Sequence, residues 1–507
     1  MSAVVTAPPR RARIESTVLQ ALRSPRLLTR EVLAGLVVAI ALIPEAIAFS
    51  IIAGVDPRVG LFSSFVMAVV IAFVGGRPAM ITAATGAVAL VIAPVAREYG
   101  MDYFIATVLL AGIIQVLLAV LGVAKLMRFI PRSVMVGFVN ALAILIFLSQ
   151  MPQLVDVPWA VYPLVAVGLL ILFLLPKVTR VVPAPLVAII LLTAAVVVFA
   201  ISVPTVGDQG ALPRSLPELF VPNVPLSFET LGIIGPYALA VAVVGLLESL
   251  MTAKLVDDVT DTRSSKTREA WGQGVANLAS GFFGGMGGCA MIGQTMINVK
   301  ASGARTRIST FLAGVFLLVL VVVLGDVVAI IPMAVLVSIM IFVSVATFDW
   351  HSIRPSTLRR LPLSETAVMV VTVAITVWTH NLAIGVVVGV VMAMVLFARR
   401  VAHFATVTRT TDADADAPEP TAHYRVDGEL FFASSNDLTT QFEYTTDPDR
   451  IVIDLSRSHV WDASTVAALD AIVTKYERLG KKVVFEGMND ETTAFHGRLS
   501  GGLGAGH

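Results

Sequence analysis

Glu248 stands inside the apolar run VAVVGLLESLMTAKL, and further on the cluster Gly284-Gly285-Met286-Gly287-Gly288 interrupts a second apolar run. A carboxylate at bilayer depth costs ~2.5 kcal/mol or more on insertion scales, so it marks a functional site by default. A helix broken at the same depth exposes backbone N–H groups, which is tolerable only where they line a cavity or bind a ligand. The two features together suit the binding site of a transporter. The first half of the chain repeats them: Pro44-Glu45 falls at the centre of an apolar run over 32–53, and TAATGAVAL (82–90) enters a helix near Gly86.

No Lys, Arg or His falls at the expected midplane of either broken helix. An anion there must be held by helix N-termini, each with unpaired N–H groups and roughly half a positive charge. The expected donors are the backbones of Gly86, Ala87, Met291 and Ile292 and the hydroxyl of Thr85, with Ala290 and Gln294 adjoining and Phe49 walling the pocket. Glu45 and Glu248 cannot both stay charged beside an anion without a cation or a proton. They are therefore the expected ion-coupling residues, with Thr252, one turn after Glu248, as a second oxygen ligand should the ion be Na⁺. H⁺ and Na⁺ remain open alternatives. Other than this possible Na⁺ site at Glu248 and Thr252, no metal, cofactor or covalent catalysis is expected. The single cysteine, Cys289, excludes an internal disulfide and reads as a small residue packed at the helix break. Glu269, Gln273 and Asn277 recur every helical turn and read as an interhelical hydrogen-bonding stripe, as does Asn140.

What must position these residues is a membrane fold. Of the chain, 57% is apolar and 14% charged, which excludes an ordinary soluble protein, and a net charge of +1 gives no pull toward nucleic acid. Apolar runs predict an α-helical polytopic membrane protein of about 14 spans. The expected spans are 32–53, 59–74, a half-helix 86–96 preceded by extended chain at 79–84, 102–122, 131–150, 159–176 and 184–201. After a proline-rich loop, 202–228, come 232–254, 270–284, 291–301, 308–325, 332–346, 364–379 and 382–398. VAIALIPE (38–45) lies over VAVVGLLE (241–248) with the glutamates in register, and the same offset carries Thr85 onto Gly288. Two related halves of about seven spans, 31–203 and 229–403, must be inverted, because seven is odd.

Charge placement agrees. Lys and Arg gather in alternate loops, among them Lys177, Lys254, Arg305, Arg354 and Arg399, with Arg58, Arg97 and Arg214 as exceptions. This puts both termini in the cytoplasm and the protein in the plasma (inner) membrane. A basic arm, 1–30, precedes the transport domain, 31–403, with an interfacial helix near 14–22. An acidic linker, 404–420, leads to a small soluble α/β domain, 421–507. That domain is expected to contain strands at 424–432, 450–456 and 481–487, a helix at 463–478 and a closing helix at 491–499.

With these elements in order, the chain resembles the SulP anion-transporter family, the sulfate permeases and solute carrier family 26. The resemblance rests on IPEAIAF, IIAGVDPRVGLFSSF, TAATGAVAL, LLESLMTAKLVDD, EAWGQGVANLASGFFGG and KASGARTR, and on a tail, RIVIDLSRSHVWDASTVAALDAI, similar to the STAS domain. It implies a 7+7 inverted repeat of the uracil-permease type, a mobile core against a gate, and a homodimer. Many relatives have Gly-Pro at Gly86-Ala87 and glutamine at Glu45, and eukaryotic members often carry arginine where Gln294 stands. A mechanism needing a fixed positive charge in the site is therefore not expected here. In related anti-sigma antagonists the serine at Ser464 is phosphorylated; here Asp462 is expected to cap the helix instead. The resulting function is secondary active transport of a small anion such as sulfate, bicarbonate, chloride or a dicarboxylate. Alternatives are an uncoupled channel or exchanger of the same fold, a membrane sensor signalling through the STAS domain and, more weakly, a nucleobase permease.

Overall fold

The computed structural model describes residues 18–122, 125, 130–178, 183–402, 406–411, 420–489, 492–493 and 497–498. The chain divides into two compact units, Met1–Val390 and Val391–His507. The first is helical: α1 (Val18–Arg23), α2 (Pro25–Ala53), α3 (Pro57–Val74), strand β1 (Thr82–Ala83), α4 (Gly86–Val120), α5 (Arg132–Ser149), α6 (Val161–Val178) and α7 (Ala184–Val198). It continues with α8 (Phe228–Thr260), α9 (Lys266–Phe282), strand β2 (Cys289–Ala290), α10 (Ile292–Met296), α11 (Arg307–Val323) and α12 (Gly325–Ala329). The helices α13 (Met333–Thr347), α14 (Pro355–Leu358) and α15 (Leu363–Thr379) follow, and α16 (Leu382–Ala402) runs across the boundary between the two units. Among the described residues, seven helices are long and apolar enough to cross a bilayer.

Several boundaries differ from the sequence reading for local reasons. Helix α2 starts at Pro25, not at 32, because Pro at the first helical position is preset for the helix and its missing N–H costs nothing there. The end of the expected basic arm is therefore helical, and of the interfacial helix expected near 14–22 only the α1 portion falls among the described residues. The half-helix 86–96 and the span 102–122 both fall within α4, where they are two helices separated by a break at Gly100, as the sequence suggests. Gly100 turns the chain inside it with φ 83° and ψ −173°, a conformation open to glycine. Helix α10 passes directly into a π-helical turn, Ile297–Ala301.

Within this unit α4 packs on α8 and α9, and α11 on α2 and α3, while α5 packs on α15 and α13, and α13 on α6. The two groups of helices meet chiefly where α2 touches α13 and α4 touches α5. The polar stripe of α9 is fully buried in the first group. Glu269 accepts the N–H groups of Gly76 and Arg77 at 2.7 and 2.9 Å. Gln273 donates to the Thr82 hydroxyl at 3.0 Å, and Asn277 donates to the Gly288 carbonyl and accepts the Gly288 N–H. The stripe thus pins both short strands, structural work that also positions the helix breaks. Asn140 is likewise structural, donating to Ser352.

The second unit is a sheet of order β3-β4-β5-β6. Its strands are β3 (Thr406–Thr411), β4 (Thr421–Leu430), β5 (Arg450–Val460) and β6 (Lys482–Glu486), with helices α17 (Phe432–Leu438) and α18 (Ala463–Arg478). β3 pairs antiparallel with β4, and the remaining pairs are parallel. The linker expected over 404–420 therefore contains a strand: the β-branched residues Thr406, Val407, Thr408, Thr410 and Thr411 suit 406–411 to pairing against β4. Residues 412–419 and most of the expected closing helix, 491–499, lie outside the described residues. Val466, Leu469, Ile472 and Tyr476 of α18 are fully buried in the core. Asp462 accepts the Thr465 N–H at 3.0 Å, the expected N-cap.

Candidate anion site

The site is built where two interrupted chains meet. β1 and β2 pair antiparallel, Thr82 opposite Ala290 and Ala83 opposite Cys289. Each strand runs into a helix within a few residues, so the N-termini of α4 and α10 both lie next to this strand pair. The close approach demands glycine at one position: a Cβ on Gly288 would run into the Ala83 carbonyl.

Neither helix start is capped by its own side chains. Thr85 stands at the N-cap of α4 with φ −129° and ψ 150°, and its hydroxyl makes no capping bond. Met291 stands at the N-cap of α10, also without a side-chain cap. The first amides of each helix have no intrahelical acceptor. Gly86 and Ala87 are buried at the first of these starts, and a Cβ on Gly86 would lie 2.8 Å from Phe49 Cε1. Phe49 thus packs on the start of α4, where the sequence expected it to wall a pocket.

At the second start the donor set shifts by a residue. The Met291 N–H, expected to be free, donates to the Ile81 carbonyl at 2.9 Å, and the Ala290 N–H donates to Ser249 Oγ at 3.0 Å. Strand pairing extends that far, so the uncommitted amides begin at Ile292 and Gly293. Gly293 is exposed, and a Cβ there would meet nothing within 4 Å, so this helix start opens onto free space. Sequence reading missed Gly293 because it placed the helix start one residue too early.

The two glutamates are nearly buried, Glu45 with 8% and Glu248 with 7% of its surface exposed. The Gln294 side chain faces Glu45. Glu248 Oε2 accepts the Cys289 thiol at 3.0 Å, and Cys289 Sγ lies 3.1 Å from Thr85 Oγ1. Cys289 is therefore more than the packed small residue that sequence reading assumed: it bridges the carboxylate on α8 to the N-cap of α4. The Thr252 hydroxyl donates to the Glu248 backbone carbonyl at 2.8 Å rather than to its carboxylate. No cluster of His, Cys, Asp and Glu that could hold a metal exists among the described residues.

Two helices that each follow one strand of a short antiparallel pair inside a bundle of apolar spans, with buried carboxylates beside them, define the class: a helical membrane transporter. The chain belongs to the sulfate permease family, whose model matches residues 28–372, and residues 412–495 match the STAS domain. It is 51% identical over 460 residues to the putative sulfate transporter YbaR of Bacillus subtilis, covering 91% of this chain and 94% of that protein. It is 27% identical over 421 residues to the bicarbonate transporter BicA of a Picosynechococcus species, covering 76% and 73%. Among solved structures, murine solute carrier 26 member A9 in the inward-facing state superposes with TM-score 0.80 at 16% identity, covering 93% of this chain and 87% of that one. The transmembrane domain of a cyanobacterial BicA superposes with TM-score 0.64 at 24% identity, over 72% and 98%. The chain is thus a multi-pass membrane protein of a family of transporters, not an enzyme.

Proposed function

We propose that this protein is a proton-coupled secondary transporter of a small inorganic anion, sulfate or bicarbonate as in the names of its relatives. The single observation that carries the reading is the β1–β2 pairing with an uncapped helix start beyond each strand. Two such starts together offer about one elementary positive charge without a cationic side chain. The anion is held by the amides of Gly86, Ala87, Ile292 and Gly293 and by Thr85, with Phe49 and Gln294 beside it. Glu45 and Glu248 are the coupling carboxylates.

A proton suits Glu248 better than Na⁺. Hard cations take oxygen ligands, whereas the atom bonded to this carboxylate is a thiol sulfur, a soft ligand. The Thr252 hydroxyl is also engaged elsewhere. The reading includes fourteen spans as two inverted halves, a transport domain over 31–403 that precedes the tail, and a homodimer in the plasma membrane with cytoplasmic termini. The two helix groups that meet at α2–α13 and α4–α5 suit a core moving against a gate.

The test is counterflow by purified protein in proteoliposomes against sulfate, bicarbonate, chloride and small dicarboxylates, with uphill uptake driven by a proton or a sodium gradient. Accumulation under a proton gradient supports the reading. Sodium-driven accumulation moves the coupling ion to Na⁺, and accumulation under neither gradient makes the protein a channel or exchanger.

A further inference from the structure

Thr85, Cys289 and Glu248 form one buried hydrogen-bonded chain, from the N-cap of α4 through β2 to α8. Their exposed fractions are 3%, 0% and 7%. Each of the first two can donate or accept, and a carboxylate can only accept. With Glu248 charged, the thiol hydrogen points to the carboxylate, and the sulfur is left as the acceptor for the Thr85 hydroxyl. The Thr85 donor is then consumed, and the hydroxyl turns away from the helix start that it would otherwise serve. With Glu248 protonated, its O–H donates to the sulfur, the thiol hydrogen turns to the Thr85 oxygen, and the Thr85 O–H is released toward the α4 N-terminus.

We propose that Cys289 is a positioning residue through which the protonation state of Glu248 sets whether Thr85 offers its hydroxyl to the anion. The inference rests on the reading of Glu248 as a coupling group. One proton is gained from solution at the Glu248 carboxylate, and the thiol and hydroxyl hydrogens only rotate, so no bond to them breaks. A proton that frees a donor for an anion favours their joint binding, and by reciprocity the anion favours the proton.

The surroundings keep this relay separate from other charges. Helix α8 packs against α4, α9, β2 and α10. From β2 the facing titratable group is Cys289 itself. The charged groups of α4 begin at Arg97, beyond the half-helix, and Glu98 faces Tyr237 in the first part of α8. Those of α9 lie in its first turn, where Glu269 is committed to the Gly76 and Arg77 amides. Helix α10 carries none, and its Gln294 faces Glu45 of α2.

The experiment measures half-saturation for radiolabelled sulfate or chloride counterflow, anions of constant charge, at about pH 5.5 and about pH 8. Wild type should bind roughly tenfold more tightly at the lower pH, the least that a hydrogen bond to a charged group is commonly worth. Cys289→Ala should hold the tighter value at both pH values, because no sulfur claims the Thr85 hydroxyl. Thr85→Val should hold the weaker value at both, and Cys289→Ser should keep the dependence. A folded Cys289→Ala protein with the wild-type pH dependence overturns the relay, and coupling through Glu248 then stands if Glu248→Gln abolishes that dependence. If Glu248→Gln keeps it, coupling through Glu248 is wrong. If wild type shows no pH dependence, the reading of Glu248 as a coupling group fails and the relay with it. Should Cys289→Ala not fold, Thr85→Val decides: wild-type pH dependence in that variant overturns the proposal.

Discussion

Replacing Gly86 with valine puts a branched side chain where the structure leaves no room for one carbon. A lone Cβ at this position would sit 2.8 Å from Phe49 Cε1 and 3.3 Å from Ile146 Cδ1. Phe49 is 3% exposed, so its ring cannot swing into solvent; it must shift within the packed interior at the head of α4. Overpacking of this kind costs ~1–3 kcal/mol. If all of it falls on the anion-bound state, half-saturation rises roughly fivefold to somewhat over a hundredfold. Stability and binding can be separated with Gly86→Ala. Alanine adds only the Cβ that meets Phe49, without the two further methyl groups of valine, so it should displace the ring less and disturb folding less. The assay is counterflow half-saturation beside thermal unfolding in detergent. A Gly86→Val protein that melts like wild type and retains its half-saturation would remove the α4 start from the anion site.

Gly288→Ala should be more destructive, because its Cβ meets the Ala83 carbonyl, a backbone atom that cannot move without breaking the β1–β2 pairing; loss of monodisperse protein on size exclusion checks this. Glu248→Gln should separate exchange from uphill transport, since exchange needs only the loaded carrier to move while accumulation needs the empty carrier to return with its coupling group discharged. Glu45→Gln should be the milder of the two; proteoliposome uptake with and without a gradient reads both, and undiminished accumulation in both refutes proton coupling through these residues. Removing residues 404–507 should lower yield or transport rate and leave half-saturation unchanged, and a large loss of affinity would place the tail against the site. In the tail, Tyr476 and Tyr424 donate to the buried Asp447 carboxylate, and burial first, then that bond, pushes both phenols above their ordinary value. A raised folded value means that their contribution is complete below about pH 10 and is lost as pH rises through it. Tyr476→Phe should remove the latest-titrating phenolate from the alkaline absorbance titration.

Most of the membrane unit was legible because apolar runs and helix length are set by the same physics. Glu45 and Glu248 stood out through their cost inside such runs, and the glycine cluster at 284–288 marked the break that β2 follows. The misread parts depended on contacts between distant segments. Whether the Met291 amide is free depends on Ile81 carrying its carbonyl alongside, which no local pattern reports. The role of Cys289 required Glu248 and Thr85 to converge on it from two other elements. In the tail, the acidic run after Thr411 obscured β3, whose partner strand follows only after it.

The central claim is that the anion sits at the paired starts of α4 and α10 on backbone donors. Anomalous diffraction from crystals soaked in selenate or bromide tests it most directly. The account predicts a peak within hydrogen-bonding distance of the amides of Gly86, Ala87, Ile292 and Gly293, beside Phe49, that weakens in Gly86→Val. A peak instead in the cavity of about 440 Å³ lined by Arg97, Gln150 and His380, with none between the helix starts, would contradict it.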